Sequence, residues 1–341
     1  MSDARNSGSS PILVAEALSK SFSRGLDLSE KILGRMGVKV NERIVRAVDK
    51  VDFSIARGEV VGLVGESGCG KSTLGRMAAG LITPSSGHVL FKDKNLSLAK
   101  TREERLSALK VQMIFQDPFA SLNPRMKVRD IVGEAPLVHG LVDKAGQHEW
   151  VASTLLRCGL DPAYMDRYPH QFSGGQRQRV GIARALAVNP EFIVADEAVA
   201  SLDVSIQAQI LNLFMKLREE LSLSYLFVSH SIGVVKHISD RVMVMYLGRL
   251  VEEGRTDEIF ETPNHPYTKA LLREVPRLED RKASYNPVQG EIPSPLDPPS
   301  GCHFHPRCPF AMARCRDEVP RLREIAPGRR SACHLNDGNA S

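Results

Sequence analysis

Val60-Val-Gly-Leu-Val64, running without a break into Gly65-Glu-Ser-Gly-Cys-Gly-Lys71-Ser72-Thr73, is the stretch that decides the fold. Five residues without a polar side chain read as a buried strand, and the turn they feed has the spacing G-x-x-x-x-G-K-[ST]. The following residues, Ser72–Leu81, have a helical pattern. Each part of this strand–loop–helix unit has a physical task around a phosphate. Gly65, Gly68 and Gly70 let backbone N–H groups turn inward where a side chain would collide. Glu66, Ser67 and Cys69 fill the loop between them, Cys69 as a small space-filling residue. The helix starting near Lys71 points its positive end at the same anion. Lys71 adds a point charge toward the β- and γ-phosphates, and the Ser72 hydroxyl, followed by Thr73, can ligate Mg²⁺.

Working outward, the first 260 residues alternate short apolar strands with helical segments, an α/β layout. Ile12–Leu18 and the alternating Val51, Phe53 and Ile55 read as half-buried strands. Val111–Phe115, Phe192–Ala195, Tyr225–Ser229 and Arg241–Tyr246 read as later ones. Between them, residues from about 117 to 172 are helical in pattern and punctuated by Pro124, Pro136, Pro162 and Pro169, which predicts a helical insert projecting from the sheet. The 341 residues carry 45 basic and 40 acidic side chains, and this small excess argues against a nucleic-acid partner. No apolar run approaches a membrane span, and MSDARNSGSS lacks the plan of a signal peptide, so the expected location is cytoplasmic.

Further groups fall at the strand ends. Phe192-Ile-Val-Ala-Asp196-Glu197 is an apolar strand ending in two carboxylates, the first suited to Mg²⁺ and the second to polarising water as general base. Phe172-Ser173-Gly174-Gly175-Gln176 opens a helix rich in Ala, Arg and Gln, giving a second set of N–H groups for an anion. Gln116 and His230 follow two other strands and supply polar groups to the same edge, where ligands of open α/β sheets collect.

Taken together these segments resemble the ATP-binding-cassette family over roughly residues 12–260. The resemblance identifies a Walker A motif at Gly65–Ser72, the Q-loop Gln116, a signature at Phe172–Gln176, a Walker B strand Phe192–Glu197, a D-loop at Ser201-Leu-Asp203 and a switch His230. Departures are small: the signature begins with Phe rather than Leu, and the D-loop reads Ala-Ser-Leu-Asp. The expected fold is therefore a P-loop cassette, a mixed-sheet core with an antiparallel β lobe and a helical insert, carrying a small Cys-rich C-terminal module. The resemblance implies ATP and Mg²⁺ as cofactors, with Mg²⁺ held through Ser72, Gln116 and Asp196. Glu197 and His230 are its catalytic residues, and Phe22 takes the place of the aromatic that stacks on adenine. Ser173, Gly174, Gly175, Gln176 and Asp203 would act in trans across a head-to-tail dimer. Cassette ATPases of DNA repair or ribosomes resemble tandem cassettes or carry long coiled-coil inserts, and this chain has neither.

Asn264-His-Pro-Tyr267-Thr268, Gln116-Asp-Pro-Phe-Ala-Ser-Leu-Asn-Pro124 and Tyr168-Pro-His-Gln-Phe172 resemble ATPase subunits of oligopeptide and dipeptide importers. Nickel and glutathione importers share much of this pattern and remain the alternative. That branch implies two integral membrane permease subunits, a second homologous ATPase subunit and a periplasmic or extracellular solute-binding protein, with this chain peripheral on the cytoplasmic face of the inner membrane. By chemistry alone Asn264–Tyr267 is a turn before a helix.

The organisation expected is a cassette over 1–260, the His-Pro-Tyr motif and a Pro-rich linker over 261–301, and a Cys-rich module over 302–341. Cys302, Cys308, Cys315 and Cys333 could make a tetrahedral Zn²⁺ site or hold an iron–sulfur cluster, and their spacing does not choose. Resemblance to dipeptide-importer ATPases tips the choice to [4Fe–4S]. His303, His305 and His334 flank these cysteines as substitute ligands or supports. Cys158, alone on a helical segment, belongs to the core.

Overall fold

The computed structural model describes residues 10–23, 44–96, 101–273 and 290–337. The segment Arg24–Val45, whose role the sequence leaves open, falls outside the described residues except at its last two positions.

Twelve strands among the described residues form two sheets. The smaller takes β1 (Leu13–Ser23), β2 (Ile44–Ile55), β4 (Ser86–Phe91) and β5 (Lys94–Asn95) in the order β2-β1-β4-β5, all antiparallel. Along β2, Val51, Phe53 and Ile55 are buried while Asp52 and Ser54 face out, the period of two expected of a sheet with one wet face. β1 runs five residues beyond the expected Leu18, through three register shifts against β2, and so carries Phe22 opposite Val45.

The larger sheet is mixed, in the order β11-β12-β10-β9-β3-β8-β7-β6. Its parallel core comprises β3 (Val60–Val64), β6 (Val111–Ile114), β7 (Phe192–Asp196), β8 (Ser224–Val228) and β9 (Arg241–Tyr246). Every residue of β3, β7 and β8 is buried, as strands covered on both faces must be. Helices Lys71–Ala78 and Val204–Leu221 cover it, and between them lies the insert, with helices Val128–Val138 and Gln147–Arg157 and short turns at Pro162–Asp166 and Pro169–Gln171. The insert is tied to the helix Gly174–Leu186: Trp150 Nε1 donates to the Ala187 carbonyl at 2.9 Å and Arg177 Nε to that of Pro169 at 2.8 Å.

The C-terminal segment does not stand apart as a module of its own. Too short for an independent core, it joins the main sheet instead. β10 (Arg249–Arg255) pairs antiparallel with β9, β12 (Arg329–Ser331) with β10, and β11 (Arg323–Ala326) with β12. Phe304, 2% exposed, packs in the same core as β3, β7 and β8, edge-on to Tyr246 with ring centres 5.3 Å apart.

Candidate nucleotide site

The carboxyl ends of the parallel strands meet the phosphate loop, and there a cavity of about 330 Å³ opens. Residues 67–73 line it, together with Gln116, Glu197, Val45, Arg46 and Arg249. The loop's shape requires its glycines. Gly70 caps the helix Lys71–Ala78 with φ of 107°, and a Cβ there would collide with the Ala47 carbonyl oxygen. Lys71 is 5% exposed, and its ammonium donates to the carbonyls of Gly65 at 2.8 Å and Glu66 at 2.9 Å. Burial raises the pKa of the Cys69 thiol, which keeps it protonated in its space-filling position.

Asp196, 4% exposed at the end of β7, accepts a hydrogen bond from the Ser72 hydroxyl at 3.0 Å. Burial raises its pKa, opposed by the Ser72 hydrogen bond and by Arg76. A buried carboxylate with a hydroxyl oxygen beside it is a hard-oxygen donor pair that fits Mg²⁺. Glu197 has a left-handed backbone, φ 49°, and its N–H donates to the Val228 carbonyl at 2.9 Å. Its Oε2 accepts from Gln116 Nε2 at 2.8 Å and lies 3.3 Å from His230 Nδ1. The structure thus gathers Lys71, Ser72, Gln116, Asp196, Glu197 and His230 around one strand edge.

The other expected residues lie elsewhere. Ser173 caps the helix Gly174–Leu186 in a reciprocal pair with Gln176, and Asp203 precedes the helix Val204–Leu221; none of Ser173, Gly174, Gly175, Gln176 or Asp203 lines the cavity. Phe22 does not line it either: it is 44% exposed, with the Lys20 ammonium 5.4 Å from its ring centre, though its cross-strand partner Val45 does.

Sequence profiles of two families match, and together they take in most of the described chain. The ABC transporter profile matches residues 48–200, and that of the oligopeptide/dipeptide transporter C-terminal region matches residues 251–315. The oligopeptide transport ATP-binding protein AppF of Bacillus subtilis is 52% identical over 295 residues, 85% of this chain and 90% of its own length. A probable peptide ABC transporter ATP-binding protein of Sinorhizobium fredii is 48% identical, covering 87% and 84%. The chain belongs to the ABC transporter ATPase family, in its oligopeptide/dipeptide branch. The cassette also resembles the solved dimer of MJ0796 in a post-hydrolysis state bound to ADP and Pi. The TM-score there is 0.60 and the identity 27%, over 72% of this chain and 98% of that one.

The cassette's tail reaches the site, which no spacing in the sequence suggested. Pro295, Pro298 and His303 line the same cavity as the phosphate loop. His303, expected to support the cysteines, lies instead with Nδ1 3.0 Å from the Leu247 carbonyl oxygen, and burial lowers its pKa to about 4. Asn264–Tyr267 does more than make a turn. The carboxylate of Glu252, fully buried on β10, accepts the N–H groups of Asn264 at 2.8 Å and His265 at 2.9 Å. Tyr267 in turn accepts the Glu66 N–H on its hydroxyl at 2.9 Å.

Cys302, Cys308, Cys315 and Cys333 line one small cavity together with His305 and His334. Yet among the described residues no group of three or more His, Cys, Asp or Glu is placed to hold a metal ion. The iron–sulfur and zinc expectations thus find no preformed ligand set, only a shared cavity. Burial pushes the Cys302 thiol up to about 11 and raises Cys308 and Cys333 as well. Cys158 is fully buried, as expected of a core residue.

Proposed function

We propose that this chain is the ATP-hydrolysing subunit that powers import of di- or oligopeptides through an ABC transporter. The observation that carries it is the conjunction at one strand edge: a phosphate loop with its buried lysine, the Ser72–Asp196 pair, and Glu197 hydrogen-bonded to Gln116 beside His230. Its 52% identity to an oligopeptide transport ATP-binding protein along 90% of that relative supports the branch.

On this reading Gly65–Thr73 cradle the phosphates of ATP, Lys71 meets the β- and γ-phosphates, and Ser72 with Asp196 and Gln116 would hold Mg²⁺, which neutralises phosphate charge when bound. Glu197 takes the proton of the attacking water, and His230 orients Glu197 and contacts the γ-phosphate. Ser173, Gly174, Gly175, Gln176 and Asp203 serve the site of a second ATPase subunit facing this one head to tail. Their absence from the lining of this chain's own cavity supports that arrangement. Phe22 stacks on the adenine once the base enters past Val45. The insert at about 117–172 grips a membrane permease subunit, with Leu137, Val138 and Leu156 exposed on its helices. No helix among the described residues is long and apolar enough to cross a membrane. The peripheral position on the cytoplasmic face, against two permease subunits, is supported by the likeness to peptide-transport ATP-binding proteins. A solute-binding protein completes the importer, and the cassette proper occupies residues 1–260, with the His-Pro-Tyr motif and linker over 261–301 and the Cys-rich tail beyond.

The test is a tagged pull-down from detergent-solubilised membranes. Two multi-span proteins with a second cassette ATPase are expected. Ribosomes, repair proteins or no membrane partner would sink the reading, and a nickel- or glutathione-binding partner would move it to those solutes. The cluster reading of the tail rests on the shared cavity alone: the four thiols around one hollow are the donors that a [4Fe–4S] group would take, and it would have to draw them into a ligand set on binding. Iron and acid-labile sulfide assayed on protein purified without oxygen test it. About four irons per chain are expected of that cluster, whereas zinc or no metal would exclude it.

A further inference from the structure

We propose that the C-terminal segment is a working part of the nucleotide site, with Arg307 as a positioning residue that sets the phosphate loop through Glu66. The inference rests on reading Gly65–Thr73 as the ATP site. Arg307 donates from Nη1 to Glu66 Oε2 at 2.8 Å and from Nη2 to Oε1 at 2.9 Å, a forked pair whose side chains are 4% and 15% exposed. Such a pair, shielded from water and bidentate, fixes geometry in a way that a surface ion pair does not. Nη1 also donates to the Tyr246 hydroxyl at 3.3 Å.

Glu66 is the first residue after Gly65, inside the loop whose N–H groups must converge on phosphate. It is held at three points. Its side chain is in the fork of Arg307, its N–H is on the Tyr267 hydroxyl, and its carbonyl receives the Lys71 ammonium. Two of those three holds come from beyond β10. A tail that needed only an anchor could take one anywhere along the sheet edge, and it has that already in the β10–β12 pairing and in buried Phe304. The buried fork on a loop residue adds nothing to that anchorage that a hydrophobic contact would not, since burying two charges is costly in itself. What it adds is a fixed position for the loop.

The same short piece of chain walls the cavity. His303, four residues before Arg307, lines it beside Leu247 and Gly248, and Arg249 bridges from Asp49 at 2.8 Å to the Gly301 carbonyl at 3.3 Å. Arg307 ends the turn His305–Arg307, which is closed by hydrogen bonds from His305 N to the Cys302 carbonyl at 2.9 Å and from Cys308 N to the His305 carbonyl at 3.3 Å. A rearrangement at Cys302 or Cys308 therefore displaces Arg307 and, through it, Glu66.

The experiment uses the purified full chain and equilibrium binding of a fluorescent N-methylanthraniloyl-ATP, followed by KM and kcat for ATP in the assembled complex. Arg307→Ala is expected to weaken nucleotide affinity and raise KM about tenfold, within the range of coupled neighbours, and to change kcat by less than about threefold. Arg307→Lys recovers only part, because a point charge cannot make the fork. Glu66→Ala reproduces the loss, and the double variant is no worse than either single one. Unchanged affinity in Arg307→Ala, even with a lowered melting temperature, reduces the contact to an anchor and overturns the proposal. Should Arg307→Ala fail to fold, Glu66→Ala decides: wild-type affinity there overturns it equally. A wild-type chain that binds no nucleotide overturns the ATP-site reading as well, a result none of the variants can mimic.

Discussion

Glu197 sits where β7 ends, in a left-handed backbone conformation that costs a non-glycine residue about 1–2 kcal/mol. That conformation brings its carboxylate to Gln116 and His230 and away from Asp196, whose own carboxylate faces Ser72. The two neighbouring acids thus have separate partners in the fold, Ser72 for Asp196 and Gln116 with His230 for Glu197. Glu197→Gln is expected to bind ATP as the wild type does while turnover falls by roughly 10²–10⁴-fold, the usual worth of general base catalysis. Near-normal phosphate release in that variant would take Glu197 out of the role. The residues of this group were legible in the sequence because the phosphate loop and the acid-ended strand are each local: strand, turn and helix are contiguous in the chain. Arg307 was not, since nothing within its own neighbourhood points to Glu66, 241 positions away.

At the scale of elements, β10 is where the tail is joined to the cassette. Glu252 and Glu253 are both buried, against Arg329 and against Arg241 with Arg330. Adjacent carboxylates on a strand point to opposite faces, so Glu252 holds the Asn264–Tyr267 turn and Glu253 the guanidinium groups of Arg241 and Arg330. Glu252→Ala would leave the N–H groups of Asn264 and His265 without their acceptor and the Arg329 guanidinium with only its contacts to Thr262. A loss of about 3–5 kcal/mol is expected, as for other broken buried pairs, read as a lower urea midpoint. A midpoint within experimental error of wild type would show that solvent replaces the carboxylate. Arg249–Arg255 carries two adjacent acids among its seven residues, and pairing on both edges of the strand accompanies their burial.

For the molecule as a whole, the tail covers a sheet edge. A chain ending at Arg273 would expose the outer edge of β10 and leave open the space filled by Phe304. Unpaired edges beside exposed apolar surface associate, so this truncation is expected to elute as aggregate in size-exclusion chromatography and to lose nucleotide binding. A monodisperse truncated chain with wild-type nucleotide affinity would contradict both the edge argument and the place given to Arg307. By itself the amino-acid sequence determined the α/β class, the phosphate loop and the acids and polar groups at the strand ends. Those depend on short-range period and on residue type at fixed spacing. Only the tertiary structure decided that the tail continues the main sheet, that Asn264–Tyr267 and Arg307 hold Glu66, and that the four cysteines share a cavity without a preformed metal site. Pairing partners and buried ion pairs are chosen by what the folded core leaves uncovered, and a linear pattern carries no record of that choice.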